Sequence, residues 1–364
     1  MHLDTITATP SNRHIQSRHM KPRNYLFYIT QNYSFAILRP LQEAIVARGD
    51  NVAWFLFGKD INKNYLRDDE TCLSSVRQVK DYSPCAVFVT GNVVPDFFPG
   101  IKVTVFHGFD ARKRTNDDHF FIRDYFDIYC TQGPDTTHKF QQLAEKHENF
   151  RVVETGWTKL DPLFKTDTQT SDNKKPVVLY SSTFTRKLTS APYLLETIKQ
   201  ASETGQFQWL VTFHPKMDES VVNDYKKIQN ENLTFIETDD VIPLLLKADV
   251  MLCDTSSILQ EFLILNKPVV TYKNRLPDDC MIDVSTPEDI IPALTTALSL
   301  PAGLLEKIQN YSQQLHPYRD GKSCERVLDA VDWYIDEGHK DLKPRSLSLM
   351  RRFKLRREFR YFWP

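Results

Sequence analysis

The feature that most restricts the fold of this chain is an alternation, run through twice, of short apolar segments with helix-like stretches. Segments 25–29, 51–57, 86–90, 102–106, 127–131 and 151–154 read as buried strands, and 36–47 has the spacing of an amphipathic helix. Strands joined by helices or long turn-rich stretches return in the same direction, so the pattern predicts a parallel sheet. A second run follows, with strands predicted at 177–181, 209–214, 233–237, 250–253 and 269–272 and helices near 192–201, 241–247 and 257–265.

Between the two runs lies KTDTQTSDNKK, polar and without apolar periodicity, which reads as a linker. The predicted organisation is a polar lead-in over 1–22, a first lobe over 23–165, a linker over 166–175, a second lobe over 176–338 and a basic, aromatic tail over 339–364. A chain of 364 residues is long for a single core and suits two domains. With no short-period repeat, the expectation is an α/β protein of two Rossmann-like lobes whose parallel sheets face a central cleft.

The formal net charge of −1 gives no global attraction to polyanions, so a nucleic-acid partner is not expected and contact with anionic surfaces needs a local patch. Cys72, Cys85, Cys130, Cys253, Cys280 and Cys324 are scattered, with no Cys-x-x-Cys pair and no histidine at zinc-ligand spacing. They read as reduced, mostly buried thiols, with no metal site. No apolar run reaches the roughly 20 residues of a membrane span, and 1–23 lacks an apolar signal-peptide centre, so a cytoplasmic location is expected.

In open parallel sheets ligands bind beyond the carboxyl ends of the strands, so polar residues there carry the most weight. His107 follows the strand at 102–106, with Gly108 next and Arg112, Lys113 and Arg114 close behind. An imidazole there suits removal of a hydroxyl proton near neutral pH, and the cations suit stabilisation of phosphate charge. The competing interpretation is a satisfied loop histidine beside a solvated basic run. His214 closes the strand at 209–214, where Pro215 stops it; the imidazole suits donation to a diphosphate, or plain packing at a strand end.

The strand at 250–253 breaks into Asp254, Thr255, Ser256 and Ser257, and Ser257-x-x-Gln260 fits a capping box. The free amides of a helix start, together with three hydroxyls, make a phosphate seat, whereas capping alone requires one hydroxyl. Glu261, one turn further, suits a ribose or an ordinary helix face. Ser182, Thr183 and Arg186 after the strand at 177–181, and Lys322 in Asp320-Gly321-Lys322-Ser323, are further phosphate candidates, the alternative being solvated loops.

Taken in order, His107-Gly108, Phe213-His214-Pro215, CDTSSILQEFLILNKPVV and DGKSCERV resemble the CDP-glycerol glycerophosphotransferase family of teichoic-acid and related surface-polymer synthesis. The resemblance is clearest over about 100–330. It implies a GT-B-like fold, CDP-glycerol as donor substrate and no cofactor. It further implies His107 as catalytic base, His214 at the donor phosphates, Ser256 and Ser257 as donor-binding hydroxyls, and an acceptor hydroxyl attacking the β-phosphorus with CMP leaving. The family often has Trp-His-Gly-Thr-Pro-Leu-Lys at the first site, where this chain has FHGFDARKR. Other readings are a GT-B glycosyltransferase with a nucleotide-sugar donor, a nucleotide-sugar epimerase, and a non-catalytic nucleotide-binding subunit.

The tail interleaves Lys343, Arg345, Arg351, Arg352, Lys354, Arg356, Arg357 and Arg360 with leucines and aromatics, against which stand Asp341 and Glu358. That composition suits the inner face of an anionic membrane, where it would bring the cleft to a glycan or lipid-linked acceptor. The alternative is a basic helix packed on the fold or on a partner protein.

Overall fold

The structure, a computed structural model, describes residues 21–59, 61–109, 120–165, 174–238, 240–345 and 348–362. Among these, the first lobe holds β1 (Asn24–Ile29), β2 (Asn51–Leu56), β3 (Thr71–Leu73), β4 (Ala86–Val89), β5 (Ile101–Thr104), β6 (Ile128–Thr131) and β7 (Arg151–Glu154). They form a parallel sheet in the order β3-β2-β1-β4-β5-β6-β7. Helices α1 (Tyr33–Ala47), α2 (Val76–Tyr82), α3 (Pro134–His147) and α4 (Asp161–Lys165) belong to this half.

The second lobe holds β8 (Val177–Ser182), β9 (Gln208–Phe213), β10 (Leu233–Phe235), β11 (Val250–Cys253), β12 (Val269–Tyr272) and β13 (Ile282–Val284), parallel in the order β10-β9-β8-β11-β12-β13. Its helices are α5 (Ala191–Glu203), α6 (Glu219–Lys227), α7 (Ile242–Lys247), α8 (Ile258–Leu263) and α9 (Ile290–Leu298), and α10 (Ala302–Leu315), α11 (Ser323–Trp333) and α12 (Leu349–Glu358) complete the chain.

Strands β4, β6, β8, β11 and β12 are buried along their whole length. A sheet covered by helices on both faces needs such continuous apolar runs, not alternation. The predicted strand at 102–106 ends early, at Thr104, and Phe106 takes a left-handed backbone (φ 56°) directly before His107. A bulky residue in that conformation is unusual and costs energy that its surroundings must hold.

The chain then returns to its starting lobe. Helix α10 packs on α3 and α8, and α11 packs on α1 and β6, so part of the stretch expected within the second lobe rests on the first. The Asp161 carboxylate accepts the backbone N–H groups of Ser323 and Cys324, each at 2.8 Å, which caps α11. Gly156 (φ 81°) lies beneath this junction, where a Cβ would stand 2.5 Å from Ser323 Oγ. His316, 1% exposed, accepts the Trp157 backbone N–H at 3.0 Å through Nε2, and its ring stacks on Phe164. Burial drives the His316 pKa down to about 4, with Asp161 opposing the fall.

The tail docks through one face. Leu355 is buried, Phe359 stacks on Phe57 with centroids 4.1 Å apart, and Tyr361 lies 4.8 Å from Phe97. Arg345 pairs with Asp127, Arg352 and Arg356 with Asp96, and Lys343 with Glu148. Leu349, Met350, Phe353 and Phe362 remain exposed on the outer side, alongside Lys354, Arg357 and Arg360.

Candidate functional site

Each sheet reverses its strand order once, between β1 and β4 in the first lobe and between β8 and β11 in the second. The loops that leave those strands diverge to opposite faces and leave room beyond the sheet edge, which is where ligands of such folds sit. In the first lobe that corner is built from Tyr33 and Ser34 at the start of α1, Thr90 after β4 and His107 after β5.

His107 Nδ1 lies 3.2 Å from the Thr90 carbonyl oxygen. A carbonyl can only accept, so Nδ1 carries the proton in the neutral ring and Nε2 carries the lone pair. Thr90 is itself fixed by a buried Ser34–Thr90 hydroxyl pair at 2.7 Å, and the Tyr33 ring lies 5.5 Å from the imidazole. An added Cβ at Gly108 would meet no heavy atom of the described residues within 4 Å. Arg112 and Lys113 lie outside the described residues.

In the second lobe His214 holds the opposite tautomer. Its Nδ1 accepts the Lys216 backbone N–H at 3.0 Å, so Nε2 bears the proton of the neutral ring and is a donor. The ring packs 4.6 Å from Phe184, in the loop after β8, and remains exposed.

That loop is tied to the end of β11 by Asp254, the residue directly after the strand, to which the sequence pattern alone assigned no role. Its carboxylate accepts from Thr183 N (2.9 Å), Ser190 N (2.8 Å), Ser190 Oγ (2.9 Å) and Ser182 Oγ. Burial raises the Asp254 pKa, while these donors pull it back. Ser182, expected at the phosphates, is 2% exposed and its hydroxyl is committed to Asp254. Thr183 contributes its backbone to the same anchor. Arg186 stands exposed in that loop and meets Asp218 at 3.3 Å.

Thr255 Oγ accepts the Arg275 backbone N–H at 3.1 Å, which links the β11 loop to the one after β12. Ser256 is half-buried and Ser257 exposed, and neither hydroxyl has a hydrogen-bond partner among the described residues. The expected capping box is absent: Ser257 makes no side-chain cap, and Gln260 donates to Tyr311 Oη at 3.1 Å instead. Tertiary packing claims the glutamine.

Glu261 is also claimed, by the other lobe. Both of its oxygens receive Lys159 Nζ, at 2.6 and 2.7 Å, so the carboxylate forms an ion pair between the lobes where a ribose contact or a bare helix face was expected. Lys159 had no signal of its own in the sequence. Lys322 is exposed, and its motif forms the turn into α11, with its backbone N–H on Asp320 and Gly321 (φ 63°) seated against Lys165 and Asp161. Among the described residues no cluster of three or more His, Cys, Asp or Glu side chains has metal-binding geometry.

Two parallel Rossmann-like sheets with polar strand-end residues at both reversal points define a GT-B-like α/β protein. Residues 108–332 match the family described as CDP-Glycerol:Poly(glycerophosphate) glycerophosphotransferase, and the chain belongs to that family. The match begins immediately after His107 and includes His214 and 255–261. Over 224 residues the chain is 25% identical to the teichoic acid glycerol-phosphate primase of Bacillus subtilis (strain 168), covering 56% of this chain and 57% of that protein. It thus spans little more than half the length of that curated relative. Among solved structures, it is similar to the wall teichoic acid polymerase TagF, with a TM-score of 0.62 at 14% identity over 87% of this chain and 90% of that one. It is also similar to the UDP-GlcNAc 2-epimerase from Neisseria meningitidis, with a TM-score of 0.57 at 13% identity over 85% and 99%. At these identities the likeness concerns the fold.

Proposed function

We propose that this protein transfers glycerol phosphate from CDP-glycerol to a hydroxyl of a surface glycan or lipid-linked acceptor. The observation that carries the reading, beside family membership, is the pair of strand-end histidines held in opposite tautomers. His107 Nε2 takes the acceptor proton. The acceptor oxygen bonds to the β-phosphorus, the bond from that phosphorus to the bridging oxygen breaks, and CMP departs with the bonding electrons. His214 Nε2–H donates to the diphosphate, and Ser256, Ser257 and the first amides of α8 face the donor. Such transfer needs alignment and charge stabilisation more than covalent chemistry. Arg112 and Lys113 supply positive charge in this scheme, which calls for no metal or cofactor, so EDTA should leave the rate unchanged.

A donor panel with mass detection of the released nucleotide tests the reading: CMP from CDP-glycerol supports it, whereas UDP from a nucleotide sugar, or conversion of a sugar donor with no acceptor, replaces it. His107→Ala abolishes turnover with donor affinity retained, because a base on the acceptor contributes little to holding the nucleotide. Full turnover by that variant removes His107 from the chemistry.

The outer face of α12 is proposed to rest on an anionic membrane surface. No helix among the described residues is long and apolar enough to cross a membrane. With Arg345, Arg352 and Arg356 engaged by the fold, Lys354, Arg357 and Arg360 are left for headgroups. At about 1 kcal/mol each they amount to about 3 kcal/mol, a reversible attachment aided by Leu349, Met350 and Phe353.

A further inference from the structure

The His107-Gly108 turn is gripped on both sides. Thr90 holds the imidazole. On the other, Gln132, the residue directly after β6, donates Nε2–H to the Gly108 carbonyl oxygen at 2.9 Å. Because that oxygen can only accept, the amide orientation of Gln132 is fixed by chemistry.

Gln132 is fully buried (0% exposed), so its side chain has little freedom. Its own Oε1 is buried without a hydrogen-bond partner among the described residues, which costs stability. A glutamine that sacrifices stability to reach one carbonyl is poorly explained by packing. The turn it reaches contains Phe106 in a left-handed conformation, a geometry that relaxes unless its neighbours hold it. The Gly108 carbonyl belongs to the peptide just beyond the His107–Gly108 link, so releasing it loosens the turn on which the imidazole is carried.

We infer that Gln132 is a positioning residue that sets the direction of His107 Nε2 through the Gly108 carbonyl. The inference rests on His107 being the base. It acts on the rate of the chemical step and not on donor binding, which belongs to the second lobe.

The test uses the full chain with CDP-glycerol and a soluble acceptor, and three variants. Gln132→Met keeps the length but cannot donate; kcat falls about 10- to 100-fold with the donor KM unchanged, the scale expected for a misplacement of about 1 Å. Gln132→Glu places a carboxylate against a carbonyl at high pH and a donating carboxylic acid at low pH. Its activity relative to wild type therefore rises as pH falls, while the Gln132→Met ratio stays flat. Taking ratios cancels the titration of His107 itself, and a purely structural role lowers the folded fraction without lowering kcat per folded enzyme. His107→Ala separates the two ideas. If it is inactive and Gln132→Met has wild-type kcat, or the Gln132→Glu ratio is flat with pH, the positioning role is overturned. If His107→Ala is fully active, the base assignment fails instead. Melting temperatures of the variants identify unfolding, and kcat is then taken per folded enzyme from active-site titration with donor.

Discussion

Replacing His316 by glutamine isolates the electrostatic cost of the buried imidazole where the chain crosses back to the first lobe. In the folded protein the ring is held neutral, with its pKa lowered to about 4 from an ordinary 6.5. In the unfolded chain the ring takes up a proton as the pH drops below 6.5. The unfolded state therefore binds more protons, so the contribution of this group is complete above pH 6.5 and is lost as the pH falls toward 4. At about 1.4 kcal/mol per pH unit the whole loss is about 3 kcal/mol, of which about 2 kcal/mol has gone by pH 5. Glutamine retains an acceptor for the Trp157 N–H but does not titrate. Urea unfolding of both proteins at pH 7.5 and pH 5 is the assay. The variant loses some stability to packing at both values, and the remaining titrating groups cancel in the comparison. The advantage of wild type over variant should shrink by about 2 kcal/mol between the two pH values. An advantage that stays constant would refute the claim that His316 is buried neutral.

Asp254→Asn removes the charge that gathers two backbone amides and two hydroxyls, so it should cost about 2–4 kcal/mol in thermal unfolding and weaken donor binding in calorimetry; an unchanged melting temperature counts against the anchor. Lys159→Met and Glu261→Gln, combined in a double-mutant cycle, should show a coupling of about 1–3 kcal/mol because the pair is largely shielded from water; a coupling near zero would mean that the lobes are not tied there. Lys354→Glu with Arg357→Glu should weaken binding to anionic vesicles at least about 30-fold while leaving turnover of a soluble acceptor intact. These substitutions are preferable to deletion of the tail, since Phe359 and Leu355 belong to the packed structure. Vesicle binding that survives them places the membrane contact elsewhere.

How much was legible beforehand follows from how local each cause is. Strands β11 and β12 were placed to the residue, because a strand buried on both faces must be largely apolar and its ends are marked by turns. The edge strands β3 and β13 were missed: at three residues each and partly exposed, they are strands only because β2 and β12 offer a free edge. Helix α8 lost its predicted cap when Gln260 turned to Tyr311, a partner 51 positions away.

The sequence by itself determined the two-lobed α/β architecture and the location of polar residues at strand ends, since both depend on short-range pattern. Which of those residues remain available was decided only in three dimensions. Ser182 and Glu261 were drawn into Asp254 and Lys159, while Ser256 and Ser257 kept their hydroxyls open. The tautomers of His107 and His214 were likewise set by a carbonyl and an amide from other parts of the loops. A buried polar group must find a partner, and the partners here lie up to 102 positions apart, a distance over which sequence pattern carries no information.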